Sequence, residues 1–120
     1  MSAQTITRRL TQLDLAKMRA GGEKIAMLTC YDASFAKACD LAGTDSILIG
    51  DSLGMVVQGH DSTLPVTMEH IAYHVGCVVR GCQRPLIIAD MPFGSYQESP
   101  RAAYRNAVPL MAAGAQMVKL

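Results

Sequence analysis

This sequence of 120 residues lacks the features that are typical of several large classes of proteins. It contains no Trp, only two Phe and four Tyr, and its eleven basic residues nearly balance ten acidic ones. Proteins that bind nucleic acid need a basic patch, so nucleic acid is not an expected partner. No apolar run approaches the ~18 residues of a membrane-spanning helix, so no association with a membrane is expected either.

Secretory and cysteine signatures are also scarce. Arg8 and Arg9 are not followed by the apolar stretch that a secretory signal contains. The four cysteines form no C-x-x-C pair, so we predict reduced thiols and a cytoplasmic protein. Half of the residues are hydrophobic, which suits one ordinary domain. We predict a single domain over residues 1–120, with an N-terminal helical segment at about 1–22.

Apolar periodicity and turn residues predict one helix followed by alternating strands and helices. The predicted helices begin at the capping residues Thr11, Asp32, Thr67 and Ser99. The predicted strands cover residues 24–29, 46–49, 85–89 and 116–120. Each strand is short and almost continuously apolar, so we expect all four to be buried. Residues 50–65 are predicted to form a long loop.

The order β-α-β-α-β-α-β implies an α/β fold with parallel strands and right-handed crossovers. Two architectures have this order, an open doubly wound sheet and part of a (β/α)₈ barrel. In both, the chemistry takes place at the carboxyl ends of the strands. The residues that follow each predicted strand are therefore the first candidates for a functional site.

Polar side chains cluster at these strand ends. Asp32 follows the first strand, Asp51 and Ser52 the second; Asp90 ends the third, and Lys119 lies in the fourth. We interpret Asp32 as a helix cap, whereas Asp51 fits a turn and a functional role equally. An unpartnered Asp90 would be poorly solvated, which favours a functional role. Two carboxylates on adjacent strands suit Mg²⁺, which can chelate a 2-oxo acid and stabilise its enolate, and Lys119 suits an anionic ligand.

Histidines offer weaker candidates. His70 and His74 have the spacing of metal ligands on a helix, but no third ligand is placed with them, so we predict a packing or surface role. His60 and Asp61 lie in the predicted loop, where turn chemistry and ligand binding are equally good interpretations.

The letters GDSL at residues 50–53 raise the possibility of a serine esterase with Ser52 as the nucleophile. Such an esterase also needs a His, usually in a D-x-x-H sequence near the end of the chain. None of the seven Asp residues here has a His three positions later. The motif also follows the second predicted strand, whereas the esterases carry it on the first.

Longer blocks of the sequence resemble a known family. They are TCYD at 29–32, GDSLGMVVQGHDSTLPVT at 50–67, ADMPF at 89–93 and AGAQMVK at 113–119. Together they resemble the ketopantoate hydroxymethyltransferase family, in register from about residue 5 onward. The block at 50–67 is far more specific than four letters, so we interpret GDSL as a coincidence of spelling.

The resemblance implies a (β/α)₈ barrel of the phosphoenolpyruvate/pyruvate superfamily, of which this chain supplies roughly the first half. It implies a transferase that moves a hydroxymethyl group from 5,10-methylenetetrahydrofolate to 3-methyl-2-oxobutanoate. The product is 2-dehydropantoate, in the first step of pantothenate biosynthesis. One Mg²⁺ per subunit and a homo-oligomer are implied as well. By position, Asp51 and Asp90 would hold the metal and contact the substrate, Ser52 would donate to the substrate carboxylate, and Lys119 would pair with that carboxylate.

In the family, the chain continues past the fourth strand with Glu-Gly-Gly, whose Glu joins the metal site, and a later Glu acts as the general base. No catalytic base is therefore expected within this chain; it is expected beyond Leu120, and we expect a partial barrel with little or no activity alone. One alternative is another metal-dependent enzyme of the superfamily, acting on isocitrate-like or phosphonate substrates, which the block at 50–67 disfavours. The other is a non-catalytic partial barrel that only associates with a full-length partner.

Overall fold

The structure, a computed structural model, describes residues 8–120 as a parallel sheet with helices packed on it. In chain order the elements are α1 (Gln12–Ala20), β1 (Met27–Thr29), α2 (Ala33–Leu41), β2 (Ser46–Ile49), α3 (Leu53–Val56), α4 (Met68–Gly81), β3 (Leu86–Asp90), α5 (Pro100–Ala113) and β4 (Met117–Lys119). The predicted alternation is confirmed. Of the N-terminal helical segment predicted at about 1–22, residues 12–20 are helical and residues 1–7 lie outside the described part of the chain.

The helices begin where the sequence predicted. Thr11, Asp32, Thr67 and Ser99 are all N-caps, and each side chain accepts a hydrogen bond from the backbone N–H three residues later. A cap of this kind stabilises a helix by about 1 kcal/mol. Pro109 lies inside α5, and that helix continues to Ala113.

The four strands are parallel and lie in the sheet in their sequence order, β1-β2-β3-β4. Right-handed crossovers between neighbouring parallel strands place all the connecting helices on one face. In agreement, α4 packs against both α2 and α5. A doubly wound sheet reverses its strand order and carries helices on both faces. The described residues therefore have the arrangement of four consecutive strands of a (β/α) barrel.

The core lies between the sheet and α4. Ile71, Val75 and Val78 share one face of α4 and are completely buried, as are Ile47 of β2 and Ile87 of β3. Full burial of each such side chain contributes about 1.5–3 kcal/mol. The strongest apolar packing is thus directly beneath the two central strands. No helix among residues 8–120 is both long and apolar enough to cross a bilayer.

Strand β1 departs from the prediction that all strands are buried. Its three residues are exposed, and Met27 and Leu28 each keep 52% of their surface accessible. The reason is position, because β1 is an edge strand that pairs only with β2 within residues 8–120. The apolar side chains Met27 and Leu28 of β1 are therefore not buried within the described residues.

Strand β4 is shorter and less buried than predicted. It covers Met117–Lys119, so Leu120, which the prediction placed at the end of a buried strand, lies outside it and is 67% exposed. The reason is again pairing, because β4 lies beside β3, and β3 ends at Asp90, directly opposite Lys119. Leu120 therefore extends past the last paired position of the neighbouring strand.

The loop predicted at 50–65 contains a helix that the sequence did not reveal. Helix α3 is a single turn over Leu53–Val56, and Leu53 is completely buried. Gly54 packs tightly against the later part of the loop, since an added Cβ there would lie 2.5 Å from Cγ2 of Val66. The turn folds the loop back on itself directly after Asp51 and Ser52.

A buried ion pair joins the amino-terminal ends of the strands. The Arg84 guanidinium donates to the Asp45 carboxylate at 2.8 Å, and both side chains are less than a tenth exposed. Arg84 also donates to the carbonyls of Gly43 and Thr44, while the second carboxylate oxygen of Asp45 accepts from the backbone N–H of Ala26. These bonds connect the segments that lead into β1, β2 and β3.

Residues 9 and 10 lie across the same end of the sheet. The backbone N–H of Leu10 donates to the Arg84 carbonyl at 2.8 Å, and the Leu10 carbonyl accepts from Nε2 of Gln116 at 2.6 Å. The Arg9 guanidinium donates to the Pro85 carbonyl at 2.9 Å and to the Cys82 carbonyl. An early segment is therefore held by residues that come much later in the chain.

Candidate active site at the carboxyl ends of the strands

The four predicted site residues lie at the carboxyl ends of three neighbouring strands. Asp51 and Ser52 follow β2 within two and three residues, Asp90 is the last residue of β3, and Lys119 is the last residue of β4. The parallel register places Asp90 directly opposite Lys119. The arrangement follows from the sequential strand order, which makes these three strands adjacent.

Asp90 is the best-buried member of this group. Its side chain is 9% exposed, and Oδ1 lies 2.7 Å from Nζ of Lys119. Its other oxygen, Oδ2, accepts a hydrogen bond from the backbone N–H of Asp51 at 2.9 Å. A buried carboxylate is tolerated when it has a charged partner and hydrogen-bond donors. Asp90 has both: its charged partner is Lys119 of β4, and its hydrogen-bond donor is the backbone of Asp51, which follows β2.

Lys119 holds the outer position in the pair. Its side chain is 56% exposed, so the ammonium group is accessible from solvent. The hydrogen bond to Asp90 raises the pKa of Lys119, an effect opposed by partial burial and supported by the negative charges of Asp90 and Asp51. Lys119 is therefore cationic at neutral pH and can attract an anion.

Leu120, beyond which the general base was expected, follows Lys119 directly at this end of the sheet. Its side chain is exposed and aliphatic, so it has no group that could accept a proton. Neither Leu120 nor any other residue of this chain is assigned as the base, and a base beyond Leu120 stays a prediction.

Ser52 has a partner that the sequence did not single out, Tyr31. The Tyr31 and Ser52 hydroxyl oxygens are 2.5 Å apart. Ser52 is the N-cap of α3, but its hydroxyl makes no capping hydrogen bond. The only sequence signal was the block TCYD, which gave Tyr31 no role. Its contact with Ser52 depends on the pairing of β1 with β2, which brings together residues 21 positions apart.

The donor atoms at this end of the sheet fit a hard cation. Asp51 and Asp90 supply carboxylate oxygens, which Mg²⁺ prefers and usually combines with water or substrate oxygens. Gly50 leaves the space beside the Asp90 carboxylate free of a side chain, since an added Cβ would lie 3.3 Å from Oδ2 of Asp90. No group of three His, Cys, Asp or Glu side chains within residues 8–120 is placed to bind a metal by itself. A cation here would therefore need further oxygen ligands.

A cleft of about 320 Å³ opens beside Tyr31, between the end of β1 and α3. Its walls are formed by Thr29, Cys30, Tyr31, Asp32, Phe35, Val56 and Val57. Burial raises the pKa of the Cys30 thiol to about 11, so this side chain is neutral at pH 7. The cleft is thus lined mainly by uncharged groups, while the charged ones gather at the ends of β3 and β4.

Both helical histidines are bonded within the protein. Nδ1 of His70 accepts from the backbone N–H of Thr67 at 3.1 Å and completes a capping box. Nδ1 of His74 lies 2.7 Å from the backbone carbonyl of Tyr31. These contacts agree with the predicted packing role. His60 and Asp61 are exposed in the loop after α3.

The fold and the strand-end cluster define a class of protein, the (β/α)₈ barrels with a polar site at the carboxyl ends of their strands. A crystal structure of 2,3-dimethylmalate lyase, a member of the PEP mutase/isocitrate lyase superfamily, aligns with a TM-score of 0.63 and 17% identity over 88% of this chain and 37% of that one. Oxaloacetate acetylhydrolase aligns with a TM-score of 0.63 and 13% identity over 86% of this chain and 37% of that one. The described residues are part of such a barrel.

Sequence comparison then gives the particular family. The family described as ketopantoate hydroxymethyltransferase matches residues 9–120. A 3-methyl-2-oxobutanoate hydroxymethyltransferase of Dechloromonas aromatica (strain RCB) is 72% identical over 120 residues, which are 100% of this chain and 44% of that protein. The protein of the same name from Azoarcus sp. (strain BH72) is 66% identical over 111 residues, 92% of this chain and 41% of its own length. The chain belongs to the ketopantoate hydroxymethyltransferase family and spans less than half the length of these relatives.

Family membership bears on the two enzymatic alternatives, a serine esterase and another metal-dependent enzyme. The relatives are named as hydroxymethyltransferases, which are transferase enzymes and not esterases. In agreement, the Ser52 hydroxyl is bonded to Tyr31, whereas an esterase nucleophile needs a base such as His beside it. The prediction that GDSL is a coincidence of spelling is therefore confirmed, and another activity within the superfamily is disfavoured.

Proposed function

We propose that this chain supplies the metal-binding and carboxylate-binding part of a hydroxymethyltransferase active site. The reaction transfers a hydroxymethyl group from 5,10-methylenetetrahydrofolate to 3-methyl-2-oxobutanoate and gives 2-dehydropantoate, the first step of pantothenate biosynthesis. The observation that carries the proposal is the buried Asp90, bonded to Lys119 on one side and to the backbone of Asp51 on the other. The names of the relatives support the reaction.

A site for a 2-oxo acid must hold a carboxylate. Lys119 offers an accessible ammonium group at the end of β4, and Ser52 offers one hydroxyl donor after β2, with β3 and its Asp90 between them. Hydrogen bonds between a cation and a carboxylate are about twice as strong as those between neutral groups. In the proposed site, Lys119 provides most of the attraction and Ser52 fixes the orientation of the acid.

Asp51 and Asp90 would hold the Mg²⁺, one ion per subunit. When bound, the ion draws electron density from the keto group and makes the adjacent C–H more acidic. Asp90 holds the Lys119 ammonium through Oδ1, so this carboxylate serves the anion site as well. The two functions therefore depend on one buried side chain.

The transfer forms a carbon–carbon bond between C3 of the 2-oxo acid and the one-carbon unit. The bonds from that unit to the folate nitrogens break, and water supplies the new hydroxyl group. A base must first remove the proton on C3, and we assign this step to no residue of this chain. We propose that the base comes from a part of the barrel outside residues 8–120, in a cytoplasmic homo-oligomer.

Calorimetric titration with 3-methyl-2-oxobutanoate in the presence of Mg²⁺ tests the carboxylate site. Lys119→Met keeps the length of the side chain and removes its charge, so we expect at least a tenfold increase in Kd, about the 1.4 kcal/mol that a charge-assisted hydrogen bond contributes. Lys17→Met, which removes an exposed cation from α1, is the matched control and should leave the Kd unchanged. An unchanged Kd in Lys119→Met would refute the assignment.

A non-catalytic partial barrel that associates with a full-length partner is the second candidate function. The exposed apolar edge strand β1 favours it. Two measurements distinguish the two functions: light scattering of the 120-residue chain, with and without a full-length relative, and turnover by the isolated chain. A mixed complex without turnover by the isolated chain supports the second, and turnover by the isolated chain near the rate of the relative excludes it.

A further inference from the structure

We infer that Tyr31 is a positioning residue, which orients the Ser52 hydroxyl toward the substrate carboxylate. The inference rests on the proposed function, in which Ser52 donates to that carboxylate. It concerns a residue from a different strand end, since Tyr31 follows β1 and Ser52 follows β2. The direction of the hydrogen bond between Tyr31 and Ser52 depends on the hydrogens that the two hydroxyl groups can donate.

The two hydroxyl oxygens are 2.5 Å apart, within the range of O–H···O hydrogen bonds. A serine hydroxyl has one hydrogen to donate and two lone pairs that accept. If Ser52 gives its hydrogen to an anion, its contact with Tyr31 can only be one in which Tyr31 donates. The result is a directed chain from Tyr31 to Ser52 to the carboxylate, and each bond in such a chain polarises the next.

The Ser52 hydroxyl is free for this role because it takes no part in local structure. A serine at an N-cap normally accepts a hydrogen bond from the backbone N–H two or three residues later. Ser52 is the N-cap of α3 and makes no such bond. Its Oγ lies instead above Gly50, where an added Cβ would be 3.2 Å from Oγ and 3.3 Å from Oδ2 of Asp90. The hydroxyl is thus turned away from its own helix and toward the site.

Tyr31 is itself held firmly by α4. Nδ1 of His74 is 2.7 Å from the Tyr31 carbonyl, and because a carbonyl only accepts, Nδ1 carries the donated hydrogen. The His74 ring also meets the Tyr31 ring edge to face, at 6.5 Å between centroids. Both the backbone and the ring of Tyr31 are therefore fixed from one helix. A donor held in place in this way loses little freedom when the ligand binds.

A double-mutant cycle tests the inference, with calorimetric titration of the protein by 3-methyl-2-oxobutanoate in the presence of Mg²⁺. Tyr31→Phe removes the hydroxyl and keeps the ring and backbone contacts with His74, so we expect the Kd to rise about five- to tenfold. In a Ser52→Ala background the same change should alter the Kd by less than about twofold. Tyr73→Phe is the control, because Tyr73 is 67% exposed and its ring also meets the His74 ring edge to face. It should leave the Kd unchanged.

The cycle separates failure of the inference from failure of the proposed function. Equal losses from Tyr31→Phe with and without the Ser52 hydroxyl would overturn the inference, because Tyr31 would then act independently of Ser52. No change in Kd in Ser52→Ala would instead overturn the proposed role of Ser52. Where turnover is measured, Tyr31→Phe should raise KM and leave kcat within about twofold. A fall in kcat at unchanged KM would contradict a positioning role.

Discussion

Asp90 and Arg84 are charged residues at opposite ends of one sheet, and each forms an ion pair. Asp90, at the carboxyl end, is paired with a lysine that is more than half exposed. Arg84, at the amino-terminal end, is paired with Asp45, and both partners are enclosed. An accessible ion pair can exchange its partner for a ligand, whereas an enclosed pair cannot. The first suits binding, and the second suits the stability of the fold.

Arg84→Ala should lower the free energy of unfolding by about 3 kcal/mol, because it leaves the Asp45 carboxylate buried without its charged partner. Urea denaturation followed by circular dichroism measures the loss. Arg101→Ala, at an exposed position on α5, should change stability by less than about 0.5 kcal/mol. A loss below about 1 kcal/mol for Arg84→Ala would mean that water reaches Asp45 in the folded protein.

Individual site residues were predictable where the local sequence shows an apolar strand that ends in a charge. Asp51, Asp90 and Lys119 were found in this way, and the structure brings them to one end of the sheet. Tyr31 was not found, because its inferred role depends on the Ser52 hydroxyl 21 residues away and on the contact of its own carbonyl with His74. Such contacts depend on strand pairing and helix packing, which cannot be seen in a short stretch of sequence.

The crossover helices pack so closely that glycine is required at one of their contacts. At Gly81, the last residue of α4, an added Cβ would lie 2.6 Å from Cα of Ala33 and would overlap its carbonyl oxygen. Ala33 is the first residue of α2, and both partner atoms belong to the backbone. Neither atom can turn aside, so the end of α4 and the start of α2 are in direct contact.

Gly81→Ala should therefore destabilise the protein by about 1–3 kcal/mol, as overpacking does in other cores. Gly76→Ala in the same helix is the matched control, because the added Cβ meets only the flexible end of the Arg80 side chain. That change should stabilise the helix by about 0.5–1 kcal/mol. Thermal denaturation of the two variants measures both effects, and equal midpoints would show that α2 can move away from α4.

Helices and strands were predicted best where the sequence marks their limits and period clearly. Helix α4 was predicted with its observed start, because Thr67 caps it and its apolar residues recur with a helical period. Helix α3 was missed, since its four residues are too few to show a period. The burial of β1 and the inclusion of Leu120 in β4 were predicted wrongly, because an apolar sequence cannot show where a strand pairs or where its partner ends.

The molecule as a whole exposes an apolar strand at one edge of its sheet. Backbone groups along the outer side of β1 pair with nothing within residues 8–120, and Met27 and Leu28 beside them are half exposed. Edges of this kind pair readily with other chains. The same surface is therefore available to another part of a barrel or to a second molecule.

The isolated 120-residue chain should self-associate as its concentration rises. Leu28→Lys places a charge on β1, which disfavours edge-to-edge pairing, and should shift the population toward the monomer. Size-exclusion chromatography with light scattering measures the mass. Leu13→Lys, at an exposed position on α1, is the control and should leave the association unchanged. A wild-type chain that stays monomeric over a wide concentration range would show that the edge is protected in solution.

The hydrogen bond between Leu10 and Gln116 imposes an order on folding during synthesis on the ribosome. Leu10 is bonded to the Gln116 side chain, 106 residues later. At roughly 5–20 residues per second, Gln116 is made about 5–20 seconds after Leu10. During that interval the Leu10 carbonyl lacks its hydrogen bond from the Gln116 side chain. Leu10 is thus made early but gains its contact with Gln116 late.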